Sequence, residues 1–411
     1  MTDREILRAL AGKTAEIAAL PVQEETKELY RAVNSRRMIR PVVLLDELPW
    51  NQLNGDGELT LRCGDEFLRG VEQNLRRTLW KWEHCRGDML VEPFFCLGKD
   101  VFYGDIGIKS AEGEVIAFDK GNNIISRHLT DQLSTFEDLN KLHAPEITVD
   151  METTLRKYEL LTGIFGDILP VRLTGNSQAG HFVPWDEIAW WRGVEAIYVD
   201  LIDHPELLHA TMRKFMDIKQ KTLERIMELD LLDDYSPTLH CTAGLVDDLP
   251  GEKTDGKVTP KNLWGRGTAQ CFATVSPKMH DEFEVRYVKE YFDRFGLLYY
   301  GCCEPLHNKI DILRQFKNLR KISITPWADV RAAAERMGGT YVMARKPNPA
   351  AVAVDSFDTD ALRRDITETL TVCRENGTSV EFTLKDISSV NYHPENLTIW
   401  EQTVMETVKN F

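Results

Sequence analysis

The stretch Gly296-Leu-Leu-Tyr-Tyr-Gly-Cys-Cys-Glu-Pro-Leu-His307 sets two thiols, a carboxylate and an imidazole directly behind a short apolar run. Leu297 to Tyr300 reads as a buried strand, so Cys302, Cys303, Glu304 and His307 follow its carboxyl end. Sites are built at that end in α/β proteins, because the loops vary while the strands hold them in place. One thiolate together with Glu304 is a candidate to bind zinc, which accepts sulfur, nitrogen and carboxylate ligands in sets of three with an open fourth position. Adjacent side chains on an extended chain point opposite ways, so only one of the two cysteines is expected to face the site.

Four other places carry chemistry. His240 and Cys241 end another expected strand, and an imidazole there is a metal ligand or a proton donor. Joined with Cys302 and Glu304, His240 would complete an open zinc site. Asp46 and Glu47 end the run Val42 to Leu45; a carboxyl whose pKa is raised by burial acts as a general acid on a leaving group. Lys385 and Asp386 end the last strand, and Arg345 and Lys346 follow the one before it. Each group has a plain structural alternative: a strand-end cap, a core histidine or an ion pair closing the sheet. His181, His307 and His393 lie on loops, where structural roles compete, and Trp50, Asn51, His181 and Tyr300 are further candidates for substrate contact. Trp50, Trp185, Trp264, Trp327, Tyr299 and Tyr300 could build a flat pocket for an aromatic ring. Trp190 and Trp191 read as core on helix spacing.

The elements that must hold these groups alternate. Strands are expected near residues 43, 92, 170, 240, 299, 323, 342 and 382, the first five joined by longer connections and the last four by single helices. Gly338-Gly339 and Asn376-Gly377 read as helix stops. Val246 to Lys261 reads as a loop insertion, and Asp105 to Ile125 as a polar β excursion turning at Gly107, Gly113 and Gly121. Eight parallel strands fit a closed (β/α)8 TIM barrel, an α/β fold, with the β excursion after the second strand. The whole chain, 1–411, is expected to form one barrel domain with an N-terminal helical extension over 1–39. An open doubly wound sheet is the alternative, but no Gly-x-Gly-x-x-Gly follows a strand.

Composition narrows the classes. The chain has 411 residues, 43% hydrophobic and 28% charged, an ordinary globular balance. The formal net charge of −15 and the lack of a basic stripe argue against nucleic acid. No run of about 18 apolar residues is present to span a membrane. The eight cysteines are scattered, and Met1 to Leu20 lacks the pattern of a signal peptide, so a reduced, cytoplasmic protein is expected.

Several landmarks resemble the uroporphyrinogen decarboxylase superfamily over roughly residues 25 to 408. Arg40-Pro-Val-Val-Leu-Leu-Asp46 resembles its first-strand segment, Ser134-Thr-Phe-Glu-Asp-Leu-Asn-Lys-Leu142 its short helix after the β excursion, and Arg192-Gly-Val-Glu-Ala-Ile-Tyr-Val-Asp-Leu-Ile-Asp-His-Pro205 a further helix. The superfamily holds porphyrinogen decarboxylases and corrinoid-linked methyltransferases. Asp46-Glu-Leu-Pro-Trp-Asn-Gln52 stands where a true decarboxylase would carry an Arg-Gln-Ala-Gly-Arg segment, which argues against uroporphyrinogen as substrate. The zinc-using methyltransferases carry His-x-Cys on the fifth strand and Cys on the eighth. Here those places hold Tyr300-Gly-Cys-Cys303 and Thr383-Leu-Lys-Asp386.

The resemblance implies a methyltransferase that moves a methyl group from a small methylated donor, such as a methoxylated aromatic, to the Co(I) corrinoid (cobalamin) of a partner protein. Asp46, Glu47 or His240 would protonate the leaving oxygen, or zinc would activate it. The alternative is a lyase that decarboxylates a small carboxylate held by Arg345 and Lys385; a non-catalytic corrinoid-binding barrel is a third class. The oligomeric state stays open, a homodimer included.

Overall fold

A computed structural model describes residues 1–109, 113–119 and 124–411. The turn expected at Gly121 lies outside the described residues. A central sheet of seven parallel strands runs in the order Val42–Leu45, Ser379–Leu384, Val342–Arg345, Leu319–Ile324, Leu297–Tyr300, Trp264–Gly267, His181–Phe182. Helices join the later strands, among them Val330–Met337 and Thr359–Asn376. This is an α/β fold. Beside the main sheet, Phe95–Gly98 and Val171–Thr174 form a separate parallel pair. Among the described residues no ladder joins that pair to the seven strands, although the Asp88 N–H donates to Val43 O at 2.8 Å.

The strands expected near 43, 299, 323, 342 and 382 are present because each is an unbroken buried run, as a strand covered on both faces requires. Near 92 and 170 the strands begin slightly later than expected. Near 240 the expectation fails. Thr238–Leu239 and Thr242–Ala243 form a short antiparallel hairpin, and the place in the parallel sheet belongs to Trp264–Gly267. The sequence Trp-Gly-Arg-Gly shows no apolar run, so periodicity missed it. Its glycines admit Phe292 instead: a Cβ on Gly267 would lie 2.7 Å from that ring. Gly267→Ala is therefore expected to destabilise the fold by about 1–3 kcal/mol, read as a lower urea midpoint at unchanged slope. An unchanged midpoint would mean that the ring moves aside freely.

Three helical stretches are interrupted or short. Pro184–Arg192 and Val194–Asp203 meet at Gly193, whose φ of 81° ends the first. Pro277–Phe292 contains a π turn at Asp281–Val285. Behind Cys303 only Ile310–Leu313 is helical. On the first of these helices Trp191 is buried, but Trp190 is 55% exposed and is not core. Neighbouring positions on a helix point about 100° apart, so both rings cannot face inward.

Alternation along the strands sorts the side chains into two sets. Leu297, Tyr299 and Ala344 pack with Leu239, Val246 and Trp264 on the face that receives the hairpin. Leu298, Tyr300, Ile322, Met343 and Phe382 join the large core under the helices. At the centre of the hairpin face, Lys321 and Glu381 are fully buried and paired at 2.9 Å. The Lys321 ammonium also donates to Thr242 Oγ1 at 2.8 Å and Ala243 O at 2.9 Å, which ties the hairpin to the sheet.

Candidate functional site

The hairpin turn lifts His240 and Cys241 to the carboxyl ends of the strands. There His240 Nε2 lies 3.7 Å from Cys302 Sγ and 3.6 Å from Glu47 Oε1. Lys385, counted on the same parity as Glu381, reaches the same point: its Nζ is 3.1 Å from Cys302 Sγ, 3.4 Å from Cys303 Sγ and 2.7 Å from Asp386 Oδ2. The Cys303 thiol donates to Asp386 Oδ2 at 2.9 Å, and the Asp386 N–H donates to Glu47 Oε2 at 3.1 Å. Residues from three strand ends and one hairpin thus share a single cluster. Glu47, Cys241 and Asp386 each hold positive φ, at 50°, 54° and 56°. Such conformations cost a side-chain-bearing residue about 1 kcal/mol and collect where a structure must aim particular groups.

The charges within the cluster are set by contact. Contact with Cys303 at 3.7 Å, with help from His240 and Lys385 and against burial, pulls the Cys302 thiol far below its ordinary range. The same contact, with burial, pushes Cys303 up. Burial works against the Lys385 ammonium, yet Cys302 and Asp386 hold it charged. Burial also opposes ionisation of Asp386, but Cys303 and Lys385 bring it down to about 2. Glu47 is raised, first by burial and then by its contact with Asp386.

Glu304 takes another part. Its Oε1 accepts from Thr268 Oγ1 at 2.6 Å and from Ala269 N at 3.3 Å, and its Oε2 accepts from Cys302 N at 3.0 Å. With both oxygens engaged and the side chain buried, it pins the Cys302 loop to the neighbouring strand end. The set His240, Cys302, Glu304 therefore does not form an open zinc site. Glu47, His240 and Cys241 instead bring their ligand atoms within 4.8 Å of one another, a nitrogen, oxygen and sulfur set of the kind zinc accepts.

The remaining candidates scatter. Arg345 lies on the helix-side parity: its guanidinium donates to Thr325 O at 2.5 Å and to Asp365 at 3.3 Å, away from the cluster. Tyr300 is on that side too, its hydroxyl bound to Glu284 and His280, each at 2.9 Å. Lys346 follows on the inner parity and donates to Cys241 O. Asp46 accepts from the N–H of Glu47 at 2.9 Å. Trp50 packs edge-on against Trp80 and under Arg77, and Asn51 is exposed beside it. Trp185 stacks on Phe272 and Trp327 is exposed, so the strand-end aromatics form no common pocket. His181 sits 6.2 Å from His240, ring to ring. Burial, with Arg266 and Lys219 beside it, pushes it down to about 3, so it stays neutral and accepts from Arg266.

Two residues were missed. Arg266 is 6% exposed, and among the described residues its Nε has no partner. Its strand escaped detection, so the arginine did as well. Asp186, at the start of the helix Pro184–Arg192, is pushed up to about 6 by burial, and the charges of Glu304 and Cys302 add to the effect. It accepts from Cys271 N and Gln270 Nε2, each at 3.1 Å. Only folding brings that helix start beside the Cys302 loop.

No family model matches the chain, and no curated protein matches it. Among solved structures, a methyltransferase from Methanosarcina mazei aligns over 92% of this chain and 97% of its own, at 12% identity and a TM-score of 0.48. At that score the likeness carries no argument about fold or reaction.

Proposed function

We propose that the chain is a methyltransferase, built on a (β/α)8 framework, that takes a methyl group from a small methylated donor such as a methoxylated aromatic. The acceptor would be the Co(I) corrinoid of a partner protein in the cytoplasm. The sequence landmarks around Arg40, Ser134 and Arg192 support the assignment. The feature that carries it is the buried Asp186 carboxyl, anchored by Cys271 N and Gln270 Nε2 and pushed up to about 6 by burial, with the charges of Glu304 and Cys302 adding to the effect. Taking the methyl group from an aryl methyl ether expels a phenoxide unless the oxygen receives a proton while the C–O bond breaks. Asp186 would supply that proton, and the unpartnered Arg266 Nε would hold the donor's oxygen substituent. The corrinoid would supply the nucleophile. Glu47, His240 and Cys241 are the residues that would hold a zinc ion, but with the Lys385 ammonium 3.9 Å from Glu47 Oε2 no step is routed through it. The lyase alternative loses its support, because Arg345 faces the helices and Lys385 is already engaged.

The test is anaerobic. The protein is mixed with a Co(I) corrinoid carrier and a panel of methoxylated aromatics, methylamines and methyl thiols, and loss of the Co(I) absorbance is followed. Loss with one donor class is expected. No loss with any donor, with carbon dioxide released from carboxylated aromatics, would overturn the reading. Asp186→Asn is expected to slow transfer about 10²-fold. In the wild type the rate should fall as pH rises through about 6, since the acid is then ionised, and the variant should lack that limb. Stability checks the same group independently. The folded state binds this proton more tightly than the unfolded chain, whose aspartate titrates near 3.8, so stability should fall between about pH 4 and 6 in the wild type and fall less in the variant.

A further inference from the structure

The groups around Lys385 are arranged as donors around a metal ion. Its Nζ is 2.7 Å from Asp386 Oδ2, 3.1 Å from Cys302 Sγ, 3.4 Å from Cys303 Sγ and 3.9 Å from Glu47 Oε2, and its side chain is 3% exposed. The two sulfurs are 3.7 Å apart. Two thiolates on one tetrahedral zinc ion, with bonds of about 2.3 Å, stand about 3.8 Å apart. An ammonium has three protons to give, and three acceptors lie within hydrogen-bonding reach.

We infer that the Lys385 ammonium fills the cation position of a two-thiol, two-carboxylate site, so that Cys302 and Cys303 bind no thiophilic metal until the amine is removed. A divalent ion entering beside the buried ammonium would meet a like charge a few ångströms away in a medium of low dielectric, where repulsion is strong. It would also strip the ammonium of its acceptors. Removing the amine reverses both effects and leaves two sulfurs, two carboxylates and the nearby His240 around a vacated position. A soft divalent ion, zinc or cadmium, is the ligand such donors select. The inference concerns the cluster on which the proposed methyl transfer also rests, but it is read from bound metal, so each can fail without the other.

Cadmium is titrated into the reduced full-length protein while the ultraviolet charge-transfer absorption of cadmium thiolate is followed. The wild type, Cys302→Ser, Lys385→Ala, Lys385→Met and the double variant Lys385→Ala/Cys302→Ser are compared, with folding checked by circular dichroism. Expected are a wild-type signal that Cys302→Ser does not change, a new one-equivalent signal in a folded Lys385 variant, and at least tenfold weaker binding in the double variant. A wild-type signal lost in Cys302→Ser would overturn the inference, as would a folded Lys385 variant with no new signal. If neither Lys385 variant folds, the wild type and Cys302→Ser decide it by the same criterion.

Discussion

Glu381→Leu is expected to lower stability by about 3–5 kcal/mol. Glu381 and Lys321 are both fully buried at 2.9 Å, so removing the carboxylate leaves an ammonium in the interior with only Thr242 Oγ1 and Ala243 O as acceptors. Burial already pulls Lys321 down to about 8, a sign of how poorly that position tolerates a charge without its partner. Lys321→Met should cost a similar amount, by stranding the carboxylate. The double variant should recover most of the loss, because a buried pair replaced by apolar groups of similar volume is often neutral. Urea unfolding of the four proteins checks this. Single variants within about 1 kcal/mol of wild type would show that water reaches the stranded charge. The pair also ties down the hairpin that carries His240, so the single variants should disturb the cluster from its base.

Glu304→Ala is expected to cost roughly 3 kcal/mol and to release the Cys302 loop. Three donors, Thr268 Oγ1, Ala269 N and Cys302 N, lose their acceptor in a buried place, and unsatisfied buried donors cost about 1–3 kcal/mol each before any rescue by water. Glu304→Gln should cost less, because the amide keeps one acceptor oxygen. The diagnostic measurement is the alkylation rate of Cys302 against pH, set beside the thermal midpoint. A lower midpoint with an unchanged alkylation profile would mean that Glu304 supports the fold without positioning the thiol. Since Gly301 at φ 101° directs the chain from strand to loop, Glu304 and that glycine together determine where Cys302 points.

Several elements were legible because their signals are local. The unbroken apolar runs at Val42–Leu45, Leu297–Tyr300 and Val342–Arg345 predict buried strands, and the residues just past them predict where chemistry collects. Cys302, Lys385, Glu47 and His240 were all reachable by that argument. Trp264–Gly267 was not, since a strand built of two glycines, an arginine and a tryptophan has no hydrophobic pattern; Phe292 packing over the glycines makes it a strand. Arg266 was lost with it.

What the sequence alone determined is the set of strand ends and the residue types that stand on them, because burial patterns and turn residues act over a few positions. Which of those side chains meet follows from the packing of the sheet and the hairpin. Strand alternation turned Lys385 and Lys346 inward and Arg345 and Tyr300 toward the helices. The buried Lys321–Glu381 pair, between residues sixty positions apart, seated the hairpin that brings His240 to Cys302. Convergence of this kind depends on parity, on register and on contacts distant in the chain, none of which a local pattern encodes.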